Sequence, residues 1–153
     1  MTLHGVLIHP LGRFVDARGE ILHMLRRDDP HFEAFGEIYF SIVRPNVVKG
    51  WHLHRTMTLN YAVPVGSIRL VLFDARPASP SRGDIQEIEL GPEAYKLVRI
   101  PPGIWNGFLG LGSSPSVVAN CATEPHDPGE IVRMPPRTPE IPYDWGDISP
   151  VSA

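Results

Sequence analysis

Seventeen prolines in 153 residues constrain this chain more than any other feature. That is roughly twice the usual ~5 %, and each proline removes a backbone donor and clashes with a preceding helical turn. They fall mainly between short periodic segments, so no convincing amphipathic helix survives. What remains are runs with period-two alternation bounded by Gly, Pro, Asp or Asn, the sequence form of an antiparallel sandwich or barrel. Strands are expected near 4–9, 20–26, 36–44, 47–54, 58–64, 67–74, 85–90, 95–100, 104–109 and 116–122. Turns such as Arg44-Pro45-Asn46, Val65-Gly66 and Pro101-Pro102-Gly103 separate them.

In 67–74 the alternation sets Ile68, Leu70 and Leu72 on one face and Arg69, Val71 and Phe73 on the other. A sheet with both faces at least partly covered reads this way. Segment 28–35 is expected to form one helical turn, and Ala75 to Asp84 an exposed loop. From Thr123 onward the chain is Pro-rich and weakly periodic, which predicts an irregular tail packed over a barrel. The length suits one domain over 1–153.

A formal net charge of −3 gives no footprint for nucleic acid, which wants a clustered basic face. No apolar run approaches the ~18 residues of a membrane span, and Met1 to Leu11 is too short and polar for a signal peptide. The chain therefore reads as cytoplasmic. The single cysteine, Cys121, has no internal disulfide partner and reads as a small buried hydrophobe.

The strongest local signal is Lys49-Gly50-Trp51-His52-Leu53-His54. Residues two apart on a strand share a face, so His52 and His54 address one space. Two imidazoles side by side suit a metal pair, a general base with an orienting neighbour, or a structural hydrogen-bonded pair. A metal needs three or four ligands, yet Asn60 and Asn106 stand where cupin metal sites carry an acid and a last histidine. Amides are weak ligands, so no metal and no other cofactor is expected.

The acid–base reading is simpler. A neutral imidazole takes a proton from a carbon next to a ketone, and the enolate oxygen then needs a cation, for which Lys49 is nearest. Strict alternation puts Lys49 on the face opposite His52 unless Gly50 marks a bulge.

The order Asp16-x-Arg18-Gly19, Val48-Lys49-Gly50-Trp51-His52-Leu53-His54, Asp74-x-Arg76, Ile100-Pro101-Pro102-Gly103-Ile104-Trp105-Asn106-Gly107-Phe108 and Pro128-Gly129-Glu130 resembles the dTDP-4-dehydrorhamnose 3,5-epimerase family. Ile141-Pro142-Tyr143-Asp144-Trp145 and Thr123-Glu124-Pro125 resemble a divergent branch of it. The resemblance implies an all-β cupin jelly roll, a homodimer, and a nucleotide-linked 4-keto-6-deoxy sugar inverted beside its ketone without metal. It implies His52 as base, Lys49 in place of a site arginine, and Arg18 near the diphosphate, reaching across the dimer. His54, Asn60, Asn106, Asn120 and Trp105 are expected to contact substrate.

Two departures bear on the chemistry. Asn120 stands where the family has its acidic tyrosine, and His126 where a second tyrosine falls; an amide donates no proton at neutral pH. Inversion needs an acid on the face opposite the base, so His126, or a relocated Tyr39, Tyr61 or Tyr143, is expected to serve. The late aspartate that pairs with the family's base has no clear counterpart, with Asp144 and Asp147 as candidates. A 3,4-ketoisomerase of the same architecture, in which proton transfers stay on one face, and an inactive sugar-nucleotide-binding protein are the competing readings.

Overall fold

The computed structural model describes residues 1–152. Ten of its strands build two five-stranded antiparallel sheets. The first runs β1 (Leu7–Pro10), β9 (Lys96–Ile100), β6 (Leu59–Val65), β11 (Ser116–Ala122) and β4 (Glu37–Val43). The second runs β12 (Ile131–Arg133), β5 (Val48–His54), β10 (Ile104–Gly110), β7 (Ile68–Asp74) and β8 (Ile85–Leu90). A separate hairpin pairs β2 (Arg13–Asp16) with β3 (Gly19–Leu22). This is the jelly-roll arrangement that the family resemblance implies, built from the antiparallel strands that the alternating runs predict.

The alternation on β7 does what period two requires. Ile68, Leu70 and Leu72 enter the core between the sheets with Leu59, Val63, Val98 and Val118. Val71 and Phe73 face outward and join a second core with Val48, Trp51, Trp105 and Leu109, closed over by Ile141 and Trp145 of the C-terminal tail. Asn46 (φ 59°) and Gly66 (φ 81°) supply the left-handed conformations that turn the chain between strands.

All ten expected strands occur, with ends shifted by a few residues. The strands β2 and β12 were not expected. Phe14 and Val15 of β2 are 61 % and 67 % exposed, so no buried face imposes alternation there. β12 has three residues and pairs through its backbone to β5, which makes the tail less irregular than its composition suggests. Segment 28–35 forms isolated turns, Phe32 N–H to Asp29 O at 3.0 Å among them, and no helix. The loop after β7 is exposed but organised about a fully buried carboxylate. Asp74 accepts from Arg76, Ser79 Oγ (2.5 Å) and Ser81 Oγ (2.6 Å), and Ser81 is itself buried. Among the described residues no helix is long and apolar enough to cross a membrane.

One irregularity decides how β5 presents its side chains. Along β10 the register runs Asn106↔His52 and then Gly107↔Gly50, so Trp51 has no partner on that side. Its backbone bonds to the tail instead, N–H to Met134 O at 2.8 Å and O from Met134 N–H at 3.1 Å. Its indole Nε1 donates to Pro136 O at 3.0 Å. The bulge suggested by Gly50 is therefore present, and Lys49 joins His52 and His54 on the inner face. It depends on close backbone approach, because a Cβ on Gly50 would lie 2.8 Å from Gly107 Cα. Gly50→Ala should lower stability by about 1–3 kcal/mol, the usual cost of overpacking, read as a drop in denaturation midpoint. An unchanged midpoint would mean that the two backbones separate freely.

Candidate active site

Between the inner faces, toward the β4–β5 side, lies a cavity of about 660 Å³, within the range of small-molecule sites. β5 contributes Lys49, His52 and His54, and β12 contributes Arg133. The facing sheet contributes Glu37, Tyr39 and Ser41 of β4, Tyr61 of β6 and Asn120 of β11. Phe108 and Val118 supply apolar floor, and His126 stands exposed at the rim.

His52 is half-buried. Burial, reinforced by the nearby charges of Arg133, His54 and Lys49, pulls its pKa down to about 4. The ring is thus neutral and able to accept a proton throughout the physiological range. His54 is buried, and its Nδ1 lies 2.6 Å from Glu130 Oε1. Burial opposes ionisation of Glu130, but the backbone N–H groups of Thr56 and Met57 on its Oε2 and the His54 imidazole together hold it below the ordinary carboxylate range. Such a carboxylate–imidazole pair fixes ring orientation and tautomer. Lys49 Nζ donates to Ser41 Oγ at 2.9 Å, tying β5 to β4 across the cavity.

Of the residues expected from sequence, Lys49, His52, His54, Asn120 and His126 meet around this space. Four others lie outside its lining. Trp105 lies in the core outside the second sheet, 6 % exposed, because its position on β10 points away from the cavity. Asn60 is buried behind the wall, its Nδ2 donating to Cys121 O at 2.9 Å. Asn106 is wholly buried, donating to His52 O at 3.1 Å and accepting from Tyr61 Oη at 3.3 Å. Arg18 sits at the tip of the exposed β2–β3 hairpin, paired with Asp16, outside its own chain's cavity. Of the relocated phenols, Tyr143 packs on Trp51 and Trp145 outside the second sheet, while Tyr39 and Tyr61 line the cavity.

Sequence reasoning missed Glu130 as the partner of His54, since 76 positions separate them, and missed Arg133. It also missed the two-sidedness of β4. Glu37, Tyr39 and Ser41 alternate with Ile38, Phe40 and Ile42, a visible pattern whose polar half, not its apolar half, faces inward.

The family model described as dTDP-4-dehydrorhamnose 3,5-epimerase matches residues 1–153. The chain is 33 % identical over 145 residues to the probable low-salt glycan biosynthesis epimerase Agl13 of Haloferax volcanii, covering 94 % of this chain and 90 % of that one. It is 28 % identical over 142 residues to the spore coat polysaccharide biosynthesis protein SpsL of Bacillus subtilis, covering 93 % and 91 %. The crystal structure of a dTDP sugar isomerase from Desulfovibrio desulfuricans G20 superposes with a TM-score of 0.92 at 46 % identity, covering 95 % of each chain.

The neutrality of His52 has a measurable sign. An unfolded chain takes up a proton near pH ~6.5, whereas the folded ring resists until about 4. The unfolded state therefore binds more protons in that window, and stability falls as pH drops from 6.5 toward 4. The His52 ring protons, followed by NMR, should titrate with a midpoint near 4, and a midpoint near 6.5 would mean that the ring is solvated.

Proposed function

The chain belongs to the dTDP-4-dehydrorhamnose 3,5-epimerase family, and from that premise we propose that it inverts carbon next to the ketone of a nucleotide-linked 4-keto-6-deoxy sugar. The observation that carries this reading is a neutral imidazole, His52, in a cavity also lined by the cations Lys49 and Arg133. His52 removes the proton flanking the ketone, and Lys49 stabilises the enolate oxygen that forms. His54, oriented by Glu130, stands beside the base as a substrate contact. The facing wall carries Asn120, Tyr39 and Tyr61, with His126 at the rim, so a proton can return from the opposite side. That placement favours epimerisation over a ketone migration run on one face.

A second copy of the chain completes the picture. Ile38, Phe40 and Ile42 on the outer face of edge strand β4 are 51 %, 63 % and 52 % exposed, and Phe14, Val15 and Ile21 of the hairpin are exposed as well. Monomeric proteins rarely leave such apolar groups contiguous, and an edge strand invites pairing. We assign this face to a homodimer contact, through which Arg18 of the hairpin reaches the diphosphate of the neighbouring site; guanidinium matches phosphate oxygens two at a time.

Proton NMR of dTDP- and GDP-linked 4-keto-6-deoxy sugars in D2O, with wild type beside His52→Ala, tests the reaction. Deuterium is expected beside the ketone with wild type and not with the variant, and product couplings distinguish epimer from ketoisomer. Saturable binding with no exchange would instead support a binding protein. Phe40→Glu places a charge in the apolar face, and light scattering should then report a monomer where the parent is a dimer.

A further inference from the structure

The family's acidic tyrosine is absent at Asn120, but the structure assigns its role to Tyr39, on the neighbouring strand, with Asn120 retained to position it. This rests on the epimerase reading above. On the β4–β11 ladder Asn120 lies directly opposite Tyr39. The side-chain amide is buried, and its orientation is fixed at both ends: Oδ1 accepts the backbone N–H of Asn60 at 3.1 Å, which leaves Nδ2 to donate to Tyr39 Oη at 3.0 Å.

The direction of that bond matters. A phenol oxygen that accepts from an amide keeps its own O–H free, and the same amide steadies the phenolate left after the proton departs. Tyr61, the other phenol in the cavity, is placed oppositely. Asn106 Nδ2 is engaged by His52 O, so Asn106 Oδ1 faces Tyr61 and takes the Tyr61 proton as its hydrogen bond. Burial, with the nearby Tyr39, also pushes the Tyr61 phenol well above the ordinary range, which makes it a poor acid. His126 is exposed on a loop at the rim and makes no side-chain hydrogen bond among the described residues.

Tyr39 projects from the first sheet and His52 from the second, so the two groups flank a sugar ring from opposing walls. In the full cycle His52 takes the proton, the C–H electron pair becomes the enolate double bond, and the carbonyl oxygen carries the charge. The enolate carbon then takes the Tyr39 proton on its other face while the ketone re-forms. Imidazolium and phenolate remain, and proton exchange with solvent restores both.

The test follows both exchange and inversion, on dTDP-4-keto-6-deoxyglucose in D2O, for wild type, Tyr39→Phe, Asn120→Ala, His126→Ala and His52→Ala. Tyr39→Phe should fold normally, since the side chain is 41 % exposed and loses one bond; matched thermal melts check this. It should keep deuterium wash-in beside the ketone with retained configuration and lose inverted product by about 10²–10⁴-fold, the usual contribution of one acid–base group. Asn120→Ala, a positioning variant, should lower kcat for inversion with KM little changed. Inversion by Tyr39→Phe at the wild-type rate, or its selective loss in His126→Ala alone, overturns the assignment while leaving the epimerase reading intact. No exchange by wild type removes the epimerase reading and the role of Tyr39 with it.

Discussion

The contact of Gly50 with Gly107 governs this molecule out of proportion to its size. Only two glycines let the backbones of β5 and β10 approach closely enough for the register to slip at that point. The slip moves Lys49 to the inner face, where it stands with His52 and His54, and leaves the outward-facing Trp51 with no partner on β10. Trp51 then becomes the anchor of the tail through its backbone bonds to Met134 and its indole bond to Pro136. A regular strand would keep the histidines inward and Trp51 outward but lose the cation beside the histidines.

The electrostatics of the cavity follow from that placement. Two cations and a buried setting keep His52 uncharged, while an internal carboxylate, Glu130, holds His54 in one orientation. Neighbouring histidines on one strand thereby acquire different characters: one unpaired and basic only in the chemical sense, the other tethered. Charge that develops on a substrate oxygen would find compensation already in place, with little rearrangement needed.

Much of the architecture was legible from sequence because buried strands advertise themselves. β7 separates two hydrophobic cores residue by residue, and Gly50 announced the bulge. Strand β2 and the short β12 carried no such mark, as neither has a face whose burial imposes a period. The histidine pair and its lysine were readable as a local motif. Glu130, Arg133 and the Tyr39–Asn120 pairing were not, because each depends on strand order and register, which bring together residues 76 and 81 positions apart. Trp105 was misplaced for a related reason: an aromatic next to a site motif looks the same in sequence whether it faces the cavity or the layer behind it.

The tail also bears on how the chain is made. Ser152 Oγ receives the backbone N–H of Val48 across 104 positions, and Ile131, Arg133, Val151 and Ser152 form part of the cavity wall. During vectorial synthesis, β5 emerges from the ribosome long before the segment that covers Trp51 and completes the pocket. Contacts of such long sequence separation close late and slowly. Until then, the nascent sheet exposes an aromatic surface of the kind that chaperones recognise and that other unfinished chains can capture.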